Sequence, residues 1–363
     1  MLVDYKDGIL SYIASIRNYF KLESSYEPNK ELDEVFTYKK PNKVFLYLID
    51  GMGANLIEKK LPKDSFLRKN MLYKTKTVFP ATTTAATTSI RNGQAPNENA
   101  WLAWTQYVEE VNDNIIPFKN TGYYSNNKYD NGYFSKLVPV KFTEDELNEK
   151  GIKAKTVFPN FMEDGFDDID SQINELIRCS NEEDYRYIYA YWDKYDTYMH
   201  EYGPSDKICD SYLLHINYQI ERLAQNLSED TLLIVVADHG QIDVKRYYDF
   251  RNSEFVKMFY RLPSFETRAQ SFYVKDEYKK EFEELFNKTF KEDFILLDKK
   301  QVFERKIFGD KESHPKFEEF LGDYLAIAIS DMSFVSIDKE FIKGHHAGLC
   351  DDETAIPVIV YMK

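Results

Sequence analysis

Apolar positions along the chain follow two rhythms. Four short runs, "VFLYLI" (44–49), "RYIYAYW" (186–192), "TLLIVVA" (231–237) and "AIPVIVYM" (355–362), are almost continuously apolar and rich in β-branched or aromatic residues. That pattern predicts strands buried on both faces. Between the second and third runs, Ile208, Leu213, Ile216, Ile220, Leu223 and Leu227 mark one face of a helix that Ser205 is placed to cap. Strand, amphipathic helix and strand in series make a crossover unit, so the chain from Lys43 onward predicts an α/β fold with a central, mostly parallel sheet. Ile9, Tyr12, Ile13, Ile16, Tyr19 and Phe20 have the same helical spacing and predict an N-terminal helix packed on the body.

The stretch 262–337 reads differently. "RAQSFYVK" is strand-like, "EYKKEFEELFNKTF" helical with Tyr278, Phe282, Leu285 and Phe286 inward, and "LGDYLAIAIS" strand-like again. A small α+β subdomain, 262–337, is therefore expected as an insertion in a core formed by 1–261 and 338–363. "KNTGYYSNNKYDNGYFSK" (119–136) has no convincing period and reads as a loop, either solvated or with tyrosines stacking on a ring at the rim of a site.

Composition narrows the partners. Sixty-one acidic against 47 basic side chains give a net charge of -14 over 363 residues. Such a charge opposes binding to long nucleic acids, whereas a small phosphorylated substrate drawn to bound metal remains compatible. Cys179, Cys209 and Cys350 lie far apart, with no CxxC pair, so a reducing compartment is expected. "MLVDYKDGILSYIASIRNYF" breaks its apolar residues with charge and has neither a signal peptide's apolar core nor a membrane span. The expectation is a cytoplasmic protein with no membrane partner.

The candidate chemistry lies where strands end. Asp50, Asp193, Asp196 and Asp238 follow the first three runs, and ligands gather beyond the carboxyl ends of strands in open α/β sheets. Asp196 and His200 are four apart and share a helix face, so an oxygen and an imidazole nitrogen can reach one ion. Asp238–His239 ends one strand, and "FIKGHHAGL" places His345 and His346 just before another. Four of the six histidines fall in these three stretches, which favours a clustered metal site over separate structural roles. In "VFPATTTAATTSIRNG" (78–93) a threonine hydroxyl falls at a helix N-terminus that Gly93 can close. That position favours anions, and a nearby divalent metal can turn the hydroxyl into a nucleophile.

Taken together, "LIDG", "VFPATT", "DTYMHEYGP", "ADHG" and "GHHAGL" resemble, in order and setting, the type I phosphodiesterase and nucleotide pyrophosphatase family of the alkaline phosphatase superfamily. The resemblance covers about residues 43–260 and 338–363. It implies an alkaline-phosphatase-like three-layer sandwich with a bimetallic site. Carried over, it assigns Asp196, His200 and His346 to one ion, and Asp50, Asp238, His239 and Thr83 to the other. His345 is then an extra residue beside His346. Thr83 is the implied nucleophile, with Thr82 and Thr84 as alternatives. The ions implied are two divalent metals, zinc or manganese, and the reaction is hydrolysis of phosphodiester or pyrophosphate bonds through a phosphothreonine intermediate.

One departure bears on substrate. An asparagine that contacts phosphate in the pyrophosphatase branch corresponds here to "NAWLAW", with Trp104 at that place as a candidate substrate contact. Trp101 and Trp104 either line a pocket or belong to the core. No C/S-x-P-x-R motif of the sulfatase branch is present. Phosphomonoesterase and phosphonate hydrolase activities stay open as alternatives, and a non-catalytic binding protein as a remote one.

Overall fold

The computed structural model describes residues 3–335 and 341–363. Strands β1 (Lys43–Ile49), β2 (Met71–Lys76), β3 (Ala154–Val157), β4 (Tyr187–Trp192) and β5 (Thr231–Val236) lie in one sheet; β6 (Phe259–Glu266), β7 (Ala269–Val274), β8 (Phe294–Asp298) and β9 (Tyr324–Ala328) form a second; β10 (Ala355–Tyr361) returns to the first. The helices that matter for the site are α1 (Ile9–Tyr19), α2 (Thr83–Asn92), α3 (Ile169–Glu182), α4 (Lys194–Tyr202), α5 (Lys207–Asn226) and α6 (Lys279–Phe290).

The first sheet has the order β2-β10-β5-β1-β4-β3. Strands β3, β4, β1 and β5 pair in parallel, whereas β10 is antiparallel to both β5 and β2. Every residue of β1, β4 and β5 is buried. Because successive side chains point to opposite faces, both faces must be covered. Each fully buried aliphatic side chain there contributes roughly 1.5–3 kcal/mol.

Two strands of this sheet carry no strong apolar signal. "MLYKTK" and "AKTV" are largely half-exposed and mix Lys and Thr with apolar residues, as suits the outermost positions that β2 and β3 occupy. The reversed direction of β10 was equally absent from the pattern, because an apolar run has no polarity. The cap of α5 is also shifted by one residue. Asp206 accepts from the Ile208 N–H, while the Ser205 hydroxyl is bound to Asp243.

Helix α1 buries the predicted Ile9, Tyr12, Ile13 and Ile16, but also Ser11, Ser15 and Arg17 on its other side. Arg17 is satisfied there by Glu146 at 2.9 Å, the Glu23 carbonyl at 2.8 Å and the Thr143 hydroxyl at 3.1 Å. The helix is therefore enclosed rather than laid on the surface.

The second sheet is antiparallel, in the order β6-β7-β9-β8, and α6 buries Phe282, Phe286 and Phe290 in an aromatic core with Phe250, Phe272 and Phe334. The expected junction at 337/338 lies outside the described residues. The 119–136 stretch is more ordered than its composition suggests. Thr121–Gly122 pairs with Asp113–Ile116, Tyr133–Leu137 is helical, and the Tyr124 hydroxyl is bound to the Pro263 carbonyl at 2.9 Å.

Candidate active site

Strand register explains why distant motifs meet. Leu48 of β1 lies opposite Tyr191 of β4 and Val236 of β5, so Asp50 and Asp238, each two residues further on, emerge at the same level. Strand β10 begins at that level because it runs the other way, and it brings the preceding His345–His346 loop to the rim. Its partner β2 ends there too, since Ala355 lies opposite Lys76, and the chain passes from it into Thr82 and α2. Helix α4 leaves β4 at the same edge with Asp196 and His200 on one face.

Three groups of donor atoms are present among the described residues, the atoms within each group lying within 4.8 Å of one another. Asp50, Asp238 and His239 form one, Asp196, His239 and His346 a second, and His200, His345 and His346 a third. The six carboxylates and imidazoles expected as ligands and Thr83 are in one neighbourhood, and Trp104, the expected substrate contact, borders the cavity beside them. Asp193 belongs to none of these groups. His200 Nε2 is 3.2 Å from Asp196 Oδ2, and His346 Nε2 is 4.0 Å from Asp196 Oδ1. His239 Nε2 is 3.4 Å from Asp50 Oδ1 and 3.5 Å from Asp238 Oδ2, and its ring stacks on His346 at 3.8 Å.

The imidazoles are oriented alike. Nδ1 of His200 lies 2.8 Å from the Gly344 carbonyl, Nδ1 of His239 3.1 Å from the Gly240 carbonyl, and Nδ1 of His346 2.9 Å from the Ala81 carbonyl. A carbonyl only accepts, so each Nδ1 carries a proton and each ring turns its Nε2 toward carboxylate oxygens. That is the orientation in which an imidazole and a carboxylate can share a cation. Asp50 Oδ1 and Asp238 Oδ2 are buried and have no hydrogen-bond partner, which calls for such a cation. These residues fit a divalent metal held by oxygen and imidazole.

His345 differs. Its Nδ1 accepts from the His346 N–H at 2.9 Å, so Nε2 holds the proton and donates to the Thr267 hydroxyl at 2.7 Å. Thr267 lies 2.9 Å from the Ser333 hydroxyl. The ring has no lone pair left for an ion.

Electrostatics follow from burial and crowding. Burial raises Asp50 well above the ordinary carboxylate range, reinforced by the charges of Asp238 and Asp196, while the Tyr191 hydroxyl bond opposes the rise. Burial also raises Asp238, with His239 opposing. Burial acts the same way on Asp196, but His200 and His346 overcome it and hold that carboxyl low. Burial, followed by neighbouring imidazoles, keeps His345 and His346 far below their usual value.

The three threonines separate cleanly. Thr83 is the first residue of α2, and its Oγ1 lies 3.2 Å from His239 Nε2 and 3.4 Å from Asp50 Oδ2. Thr82 caps the helix and donates instead to Glu266 Oε1 at 2.6 Å. Thr84 is fully buried and its hydroxyl has no partner.

Beside Thr83 opens a cavity of about 340 Å³, lined by residues that include Trp104, Glu266 and His346. Trp104 borders it, whereas Trp101 is core, its indole N–H bound to the Val138 carbonyl at 3.1 Å. Glu266 and the Tyr191 hydroxyl escaped sequence reasoning. Glu266 lies 184 residues from its partner Thr82, and no local pattern marks such a contact.

An α/β sheet whose rim gathers carboxylates, imidazoles and a helix-N-terminal threonine defines a class of phosphoryl-transfer hydrolases. The sequence profile of the family "Type I phosphodiesterase / nucleotide pyrophosphatase" matches residues 44–347, and the chain belongs to that family. It is an enzyme, a phosphoric ester hydrolase of the alkaline phosphatase superfamily, and the family is metal-dependent. No curated protein matches the sequence significantly. The fold is similar to that of murine ectonucleotide pyrophosphatase/phosphodiesterase 5, with 15% identity, 88% of each chain covered and a TM-score of 0.70. The human protein of the same name gives 0.68, with 15% identity and 88% of each chain covered. Phosphonoacetate hydrolase from Sinorhizobium meliloti 1021, bound to phosphonoformate, gives 0.63, with 12% identity and 89% of this chain and 90% of that chain covered. Among the described residues no helix is long and apolar enough to cross a membrane.

Proposed function

We propose that the protein hydrolyses small phosphodiesters through a phosphothreonine formed on Thr83, at a site for two divalent ions, zinc by preference and manganese as the alternative. Asp196, His200 and His346 would hold one ion, and Asp50, Asp238, His239 and Thr83 the other. The observation that carries this reading is the placement of Thr83 Oγ1 at 3.2 and 3.4 Å from His239 Nε2 and Asp50 Oδ2, where the threonine hydroxyl and metal donors converge. When bound, the ions supply a lowered hydroxyl pKa and neutralise charge on the phosphoryl and leaving oxygens.

The chain's own residues do the rest. Thr83 Oγ1 forms a bond to phosphorus as the bond to the leaving alkoxide breaks; the hydroxyl proton passes to solvent, and the alkoxide takes one up from solvent and departs as the alcohol. Water then cleaves the Thr83–phosphoryl bond, restoring the hydroxyl and releasing the monoester. Thr83 sits at the N-terminus of α2, where free backbone N–H groups and the helix dipole favour an anion. The Nδ1–H bonds to Gly344, Gly240 and Ala81 keep the three imidazoles aimed, and burial shields Asp50, Asp238, His239 and His346 from bulk water.

A diester is favoured over a monoester or a phosphonoacetate-like substrate by the cavity walls. No Lys or Arg lines the cavity among the described residues, so a singly charged phosphoryl group suits it better than a more highly charged one. In this reading 262–337 is an inserted α+β unit on a core of 1–261 and 338–363, and it carries Glu266 to the site. The free thiols Cys179, Cys209 and Cys350 support a reducing, cytoplasmic setting.

The test is the ratio of bis(p-nitrophenyl) phosphate to p-nitrophenyl phosphate hydrolysis by zinc-loaded protein. A ratio well above one, abolished in Thr83→Ala, is expected. A ratio below one moves the protein to the monoesterases.

A further inference from the structure

Each carboxylate expected to hold a metal divides its oxygens in the same way: one is engaged by the protein and the other faces an imidazole. Asp238 Oδ1 accepts from the N–H groups of Gly51 and His239 at 3.1 and 2.9 Å, while Oδ2 lies 3.5 Å from His239 Nε2. Asp50 Oδ2 accepts from the Tyr191 hydroxyl, and Oδ1 lies 3.4 Å from the same nitrogen. In Asp196 it is Gln241 Nε2 that donates to Oδ1, and Oδ2 lies 3.2 Å from His200 Nε2. Backbone N–H groups and a tyrosine orient the first two carboxylates, whereas among the described residues one side-chain amide orients Asp196.

Gln241 is only 1% exposed. Its Nε2 also donates to the Asp196 carbonyl at 3.2 Å, so both amide protons go to one residue. Turned over, the amide would set Oε1 against two acceptors, which fixes its orientation. Oε1 is then left buried without a hydrogen-bond partner, a cost to the fold that placing the donor at Asp196 explains. Oε1 packs against Gly344, where a Cβ would come within 2.6 Å of it and within 2.2 Å of the Met199 carbonyl. The Gly344 carbonyl in turn accepts from His200 Nδ1 at 2.8 Å. Residues 242–243 pair antiparallel with 344–345, which holds Gln241 level with the loop that carries His346. One buried side chain therefore joins Asp196 to the loop that aims His200 and supplies His346.

Building on the two-ion reading, we propose that Gln241 is the positioning residue of the ion assigned to Asp196, His200 and His346. It holds Asp196 Oδ1 so that Oδ2 is the oxygen presented to that ion. Its effect is confined to that ion, because Tyr191 and backbone N–H groups orient Asp50 and Asp238 independently.

The test is zinc binding by the metal-free wild type and Gln241→Met, titrated in competition with a chromogenic chelator. Methionine keeps the length and volume of glutamine but has no donor. The wild type is expected to take up about two equivalents of zinc, and His346→Ala marks the one that belongs to the Asp196 ion. In Gln241→Met that equivalent is expected to bind roughly 10–100-fold more weakly, the usual loss when a group that orients a ligand is removed, while the other keeps its affinity. A purely structural role would lower the urea midpoint of the metal-free protein and loosen both ions together. That result, or two unchanged equivalents, overturns the proposal. The crystal structure of the zinc-loaded wild type tests it without a variant. Zinc on Asp196 Oδ2 with Gln241 still on Oδ1 supports the role, and zinc on both oxygens or Gln241 turned away overturns it. Fewer than two equivalents in the wild type rejects the two-ion reading itself, and the role of Gln241 falls with it.

Discussion

His346 is bound through Nδ1–H to the carbonyl of Ala81 at 2.9 Å, two residues before Thr83. One hydrogen bond thus registers a metal-facing imidazole from the C-terminal loop against the segment that delivers the nucleophile. It fixes the tautomer and spares Nε2 for an ion.

Replacing His346 by Ala should therefore lower the metal content of the purified protein from about two equivalents toward one. Turnover of bis(p-nitrophenyl) phosphate should fall by at least ~100-fold, more than the ~10–100-fold typical of losing a residue that only orients a ligand. Elemental analysis of the wild type and variant, dialysed together, reads this directly. Identical metal content in both would remove His346 from the ligand set.

The three threonines should respond in a fixed order. Thr83→Ala removes the hydroxyl nearest His239 and Asp50, and should lower kcat/KM by ~1,000-fold or more, the scale on which loss of a covalent nucleophile acts. Thr82→Val breaks the bond to Glu266 and should cost about fivefold, the equivalent of the ~1 kcal/mol of an ordinary hydrogen bond. Thr84→Val replaces a buried hydroxyl that has no partner, and should leave activity and stability near wild type. If Thr84→Val were the inactive variant, the helix register of the nucleophile would be wrong.

What the chain revealed in advance depended on range. The runs at 44–49 and 231–237 are continuous because both faces of their strands are covered, and the i, i+4 relation of Asp196 and His200 is local to one helix. Thr82 and Glu266 are joined across 184 positions by folding alone, so neither signals the other. Strands β2 and β3 went unseen because half-exposed edge strands tolerate Lys and Thr. Asp206 displaced Ser205 as a cap because both residue types serve that role, and their neighbours decide.

Arg268 and Glu353 form a fully buried pair that braces the loop after His346. Arg268 reaches Glu353 through two bonds, at 2.8 and 2.7 Å, and the carbonyls of Met332 and Ser330 at 2.6 and 2.9 Å. Glu353 in turn accepts from the N–H groups of Gly348 and Cys350. Arg268→Met leaves a buried carboxylate without its cation, and should destabilise the protein by about 3–5 kcal/mol. Pairing it with Glu353→Met should recover part of that loss. Urea midpoints of the three variants measure both effects. A single-variant loss under ~1 kcal/mol would mean that water or backbone groups already satisfy Glu353.

Acid should reveal a second brace. Glu175 on α3 accepts from Arg178 at 2.8 and 3.0 Å, from Lys155 of β3 at 2.5 Å and from the Cys179 thiol at 3.3 Å. The Arg178 bonds lead in pulling its carboxyl down to about 2, from 4.5. A folded-state pKa below the unfolded one means that the unfolded chain takes up the proton first. The charged form therefore stabilises the fold above about pH 4.5, and that contribution drains away as pH falls toward 2. The stability gap between wild type and Glu175→Gln should be full at pH 6, smaller at pH 4 and smaller again at pH 3. Urea midpoints at these three values decide the matter. A gap independent of pH would show that Glu175 braces α3 through packing, with its charge contributing nothing.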